Sequence, residues 1–126
     1  MPTLTKTTVG LNLLRDSNSG AANDTITYVS LGTGTTAPSA GDVKLVAEVF
    51  RKKVTSYANG TTGEILVSMY LAPGDANGFD IEEVGFWGGN ASSTPNSGVL
   101  LGRGLWSHNP KVSTESIQFQ LDWIYS

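Results

Sequence analysis

From Ile117 to Tyr125 the chain alternates with a period of two. Ile117, Phe119, Leu121, Trp123 and Tyr125 are apolar, and Gln118, Gln120 and Asp122 between them are polar until Ile124. That is a strand's period, because successive side chains leave opposite faces of the pleat. Such a strand has one face that needs a covering layer and one that meets water, which points to an antiparallel sheet. Glu64–Leu71 repeats the pattern, with Ile65, Val67, Met69 and Leu71 on one face and Leu66, Ser68 and Tyr70 on the other.

Further strands are expected at Thr25–Leu31, Phe50–Tyr57, Phe79–Trp87 and Val99–Trp106, each rich in β-branched or aromatic residues. In the last of these, Gly102 and Gly104 share a face and leave room for a neighbour to approach closely. Turn chemistry separates the strands at Gly32–Pro38, Ala58-Asn59-Gly60 and Pro73–Gly78, and GGNASSTPNSG (88–98) reads as an exposed loop or distal tip. Two short helices are expected. Val9, Leu11, Leu13 and Leu14 line the first, which Asp16–Gly20 terminates. Ser39-Ala40-Gly41-Asp42 caps the second, running to about Glu48 with Val43, Leu45 and Val46 inward.

Strands this short and one-sided need a second sheet to cover them, so the expected fold is all-β, an antiparallel β-sandwich with one or two short N-terminal helices. With neither an internal repeat nor a linker, residues 1–126 read as a single domain. Composition agrees: Gly, Ser, Thr and Asn supply 50 of 126 residues, and charged residues are only 15%. A helical bundle needs the opposite balance.

Composition also excludes chemistry. The net charge of −3, with Arg51-Lys52-Lys53 the only basic cluster, argues against nucleic acid, whose binders carry a concentrated positive field. In a strand, Lys52 points away from its two neighbours. Without cysteine there is no disulfide, thiolate metal site or thiol nucleophile. No segment approaches the roughly 20 apolar residues that span a bilayer, and Met1–Lys6 lacks the features of a secretory signal, so synthesis in a cytosol without export through the general pathway is expected. The three Asn-x-Ser/Thr triplets at 23–25, 59–61 and 90–92 read as turns.

The single histidine, His108, follows a strand within WSHNP and reads as a solvated turn residue, and no Gly-x-Ser-x-Gly elbow exists. Asp75–Asp80 resembles the opening of a calcium loop, but Phe79, Asp80 and Phe86 stand where an EF-hand needs an acceptor, Gly and Glu. Glu82 and Glu83 are adjacent and point to opposite faces, so they cannot pair as acid and base. The Gly32-Thr33-Gly34-Thr35-Thr36 loop lacks the Lys-Ser/Thr of a phosphate-binding loop. No catalytic residue, cofactor or metal is expected.

Taken in order, GLNLLRD (10–16), YVSLGTGTTAP (28–38), LVAEVFRK (45–52), IEEVGFW (81–87), SGVLLGR (97–103) and the closing alternating strand resemble a family of tailed-bacteriophage virion proteins. Its members occur as tail-fibre or collar-type domains and as small capsid-decoration proteins. The resemblance implies a jelly-roll-like sandwich that assembles on a virion, often as a homotrimer, without catalysis. A chain that starts at Met1 and stops directly after its last strand fits a capsid decoration (cement) protein bound to the major capsid protein. Residues 1–8 would then be an N-terminal arm reaching a neighbour. The alternative is a tail-fibre or baseplate attachment module, in which Trp87 beside the 88–98 loop offers a platform for host glycan. Of Trp87, Trp106 and Trp123, at least one is a candidate contact residue.

Overall fold

The computed structural model describes residues 4–20 and 25–124. In chain order the elements are β1 (Thr5–Lys6), α1 (Thr8–Asn18), β2 (Tyr28–Gly32), β3 (Glu48–Lys53), β4 (Ser56–Asn59), β5 (Glu64–Leu71), β6 (Ile81–Gly88), β7 (Val99–His108) and β8 (Ile117–Ile124). The protein is all-β, with one short helix among the described residues. Every strand pairing is antiparallel. One sheet has the order β1-β7-β6-β2-β3 and the other β4-β5-β8.

The period-two reading of β5 translates directly into burial. On β5, Val67, Met69 and Leu71 are buried, and they join Val29, Leu31, Ile81, Val84, Phe86 and Leu101 of the five-stranded sheet in one cluster. β5 pairs with β8 over its whole length, from Glu64 opposite Ile124 to Leu71 opposite Ile117. Gly102 and Gly104 are buried, and Gly102 stands opposite Lys6 of β1 and Phe86 of β6.

The helix forms where expected, and Thr7 caps it: its hydroxyl accepts the Gly10 amide at 3.0 Å and donates to the Leu100 carbonyl, tying the cap to β7. A Cβ on Gly10 would lie 2.8 Å from the Leu101 Cα, so only glycine lets the helix sit this close to the sheet. The second half of the expected N-terminal arm is part of the domain, because Thr5 and Lys6 pair with Arg103 and Gly102. Residues 1–3 of that arm, the Asn23-Asp24 turn, Tyr125 and the Trp123 side chain lie outside the described set.

Two expectations are corrected. Residues 39–48 are not a helix. The capping contacts do form: the Asp42 carboxylate accepts the Ser39 amide at 2.9 Å, and Ser39 Oγ accepts the Gly41 amide. A nucleated turn is unstable alone, however, and the next amides are taken elsewhere, Val46 and Ala47 donating to Glu83. Only Leu45 turns inward, whereas Val43 and Val46 are exposed. The expected strand Phe50–Tyr57 is also two strands. At Val54-Thr55 the chain changes sheets: the Val54 amide donates to Thr27 beside β2, and the Thr55 amide donates to Ser68 of β5.

Candidate functional site

The far face of the five-stranded sheet, away from the main cluster, carries most of the buried charge. β6 presents Glu82 and Glu83 to opposite faces, as alternation requires. Glu82 receives a long hydrogen bond from Ser107 Oγ, at 3.4 Å, whereas Glu83 is fully buried beneath the 33–47 loop. Four donors surround the Glu83 carboxylate. Oε1 accepts Arg103 Nε at 2.8 Å and the Val46 amide at 2.9 Å, and Oε2 accepts the Gly34 and Ala47 amides at 2.8 Å each.

Arg103 reaches this point from β7. It also donates to the Thr36 carbonyl at 2.7 Å and to Asp42 Oδ2 at 3.3 Å. Burial raises the Glu83 pKa, but the Arg103 guanidinium and the three backbone amides outweigh it, and the group is held below the ordinary glutamate value. A carboxylate so saturated is suited to holding a loop in place, since a general acid needs its pKa raised. The glycine loop that resembled a phosphate cradle therefore cradles a carboxylate of its own chain. Its glycines are required by space: a Cβ on Gly34 would come 2.5 Å from Glu83 Oε2, and one on Gly32 2.6 Å from the same oxygen.

Beside this network lies a second one. Trp87 is completely buried with Leu45 and Leu100, and its indole N–H donates to Ser30 Oγ at 2.6 Å. The Arg51 guanidinium stacks 4.3 Å from the ring centroid and pairs with Glu48 at 2.9 Å, both side chains 2% exposed. Arg51 then donates to the carbonyls of Ser92 and Ser97, at 3.1 and 2.9 Å, and to Ser97 Oγ. The 88–98 loop is exposed at Ser92–Asn96, as expected, and is fastened to β3 through Arg51. Trp87 offers no glycan platform, because the loop and Arg51 cover it.

In the Asp75–Asp80 segment, which resembled the opening of a calcium loop, lysines take an oxygen of each of the first two acceptors, Asp75 and Asn77. Asp75 Oδ2 accepts Lys52 Nζ at 2.6 Å and the Ala72 amide at 3.0 Å; the Lys52 hydrogen bond is the main reason the Asp75 pKa is lowered. Lys111, 1% exposed, donates Nζ to the Pro73 carbonyl at 3.0 Å and to Asn77 Oδ1 at 2.9 Å. Among the described residues no group of three or more potential metal ligands comes together. His108 ends β7 with its ring 5.6 Å from that of Trp106, and its Nδ1 lies 2.6 Å from the Asn109 carbonyl oxygen. As expected, Arg51 and Lys52 diverge, one to Trp87 and the other to Asp75.

Sequence reasoning missed Glu83, Arg103, Glu48 and Lys111 as organising residues. A signal was present for two of them: Glu83 and Arg103 are charges flanked by apolar residues and glycine, Val84-Gly85-Phe86-Trp87 after the one and Val99-Leu100-Leu101-Gly102 before the other, and such a charge needs a buried partner. Compared with protein-family models, curated proteins and solved structures, the chain matches none.

Proposed function

We propose that this chain is a non-enzymatic virion structural protein of a tailed bacteriophage. On this reading it is a jelly-roll-like β-sandwich that decorates and stabilises the capsid as a homotrimer on the major capsid protein. One observation carries the reading. Four of the segments that resemble the virion family converge on one buried polar network. YVSLGTGTTAP supplies the Gly34 amide and the Thr36 carbonyl, LVAEVFRK supplies the Val46 and Ala47 amides, IEEVGFW supplies Glu83, and SGVLLGR supplies Arg103. The most distinctive charged residues of the chain are thus spent on holding loops to a sheet, which favours a structural role over chemistry.

Assembly is favoured by a second feature. Val43, Val46 and Val49, at and just before β3, expose more than half of their surface, and β3 is an edge strand. Apolar groups on a well-fastened loop beside a sheet edge suit contact with another virion subunit.

The test is gold-labelled antibody imaging of purified virions. Label spread evenly over the heads is the expected result. Label at the tail or its tip would replace this reading with the attachment-module alternative, and no label on any particle would overturn both.

A further inference from the structure

Each of the two sheets has two edges, and three of these four edges are blunted against strand addition. β1 is two residues long and β4 four. β3 carries Lys52 and Lys53 and bulges at Val49, where the register passes from Leu31 opposite Phe50 to Gly32 opposite Glu48. Short length, lysine and bulges are the usual devices that keep a sheet edge from pairing with another chain. β8 is the fourth edge and has none of them. It runs for eight residues in unbroken register with β5, from Ile117 opposite Leu71 to Ile124 opposite Glu64, and contains no proline, glycine or lysine. Among the described strands it has a neighbour on one side only. Its other side presents backbone N–H and C=O groups at strand spacing, with Gln118 and Gln120 exposed beside them.

We propose that β8 pairs antiparallel with β8 of a second copy of this chain, joining two three-stranded sheets into one of six strands. The occupant follows from the molecule itself. A free edge is satisfied by another extended strand, and among the described strands only β8 is an edge of matching length. A two-fold axis perpendicular to the sheet keeps both core faces on the same side, provided that odd-numbered residues meet odd-numbered ones. The register centred on Gln120 does this over the longest matched run. It sets Ile117 opposite Trp123, Gln118 opposite Asp122 and Phe119 opposite Leu121, apolar with apolar and polar with polar. It also keeps Asp122, the one charge on the strand, away from its own counterpart, whereas a register centred on Asp122 would oppose two carboxylates. The inference does not rest on the virion reading. Val43, Val46 and Val49 lie at the edge of the other sheet, so one chain can use both contacts at once.

The test uses the purified full chain. Native mass spectrometry should show assemblies with an even number of chains. Gln120→Lys and Gln120→Glu each oppose like charges on the axis, so either variant alone should halve that number. Mixing the two variants sets opposite charges across the axis and should restore the even-numbered assembly, with the variants in equal amounts. Because the chain has no cysteine, Gln120→Cys introduces a single thiol, and mild oxidation should convert most of it to a covalent dimer on a denaturing gel. Gly74→Cys, on a turn in open space, should cross-link about tenfold more slowly. Circular dichroism confirms that each variant is folded. A wild-type chain that is monomeric or assembles only in odd numbers, an assembly unchanged by Gln120→Lys, or equal cross-linking at positions 74 and 120 overturns the proposal. Pairing of β8 with a different protein, with another edge of a second copy or with the chain's own terminal residues would read as one of these.

Discussion

Glu83 Oε1 accepts the Arg103 Nε–H at 2.8 Å, with both side chains at or below 1% exposure, and the two lie directly beneath the loop that joins β2 to β3. One acid thereby organises four backbone or side-chain donors drawn from three separate parts of the chain.

Removing one partner should be costly because it strands the other charge in the interior. Glu83→Gln is expected to destabilise the fold by about 3 kcal/mol in urea titration. Arg103→Met in the Glu83→Gln background should cost less than the sum of the single changes, since the stranded charge is then gone.

Acid should act through the same group. Glu83 and Asp75 both have depressed pKa values when folded, so between those values and the ordinary carboxylate range of about 4 the unfolded chain binds more protons than the native one. Their stabilisation is complete above that range and is lost as pH falls through the folded values. Melting temperature should therefore drop on acidification below about pH 4. Glu83→Gln should show a shallower drop, measured by differential scanning calorimetry across pH.

Glycine placement gives a paired prediction. Gly34→Ala forces a Cβ against Glu83 and should cost about 2 kcal/mol or more, as overpacking does. Gly74→Ala meets open space and should stay within about 0.5 kcal/mol. Equal effects at the two positions would contradict the cradle.

Arg51 fastens the 88–98 loop, so Arg51→Ala should release it. The expected cost is about 2 kcal/mol, typical of buried hydrogen bonds to a charged group. New protease cleavage confined to residues 88–98 should accompany it, read by limited proteolysis and peptide mass mapping.

The exposed valines separate folding from assembly. Changing Val43, Val46 and Val49 together to Ser should move each site's stability by less than about 0.5 kcal/mol, as surface substitutions do. On the proposed function, the same variant should lose trimers in native mass spectrometry and lose capsid binding.

Whatever depends on neighbours two to four residues away is legible in the amino-acid order. The alternation at 64–71 and 117–124 determined which side chains of β5 are buried and that these strands exist. The apolar spacing at 9–14 determined α1, and turn residues marked where the chain reverses. Whatever depends on partners far along the chain emerges when the sheets and loops pack together. Ser39–Glu48 carries a helix start that nucleates locally, yet Glu83, 36 and 37 residues away, claims the amides of Val46 and Ala47. Phe50–Tyr57 alternates like one strand, but pairing with β2 on one side of Val54 and with β5 on the other divides it. Trp87 borders a polar loop in sequence, which leaves both core and surface open to it; Arg51, from β3, stacks on the ring and holds that loop, and this decides for the core. Periodicity records which face of an element is apolar; it holds no record of which distant donor satisfies a buried charge, and here that pairing shapes the loops.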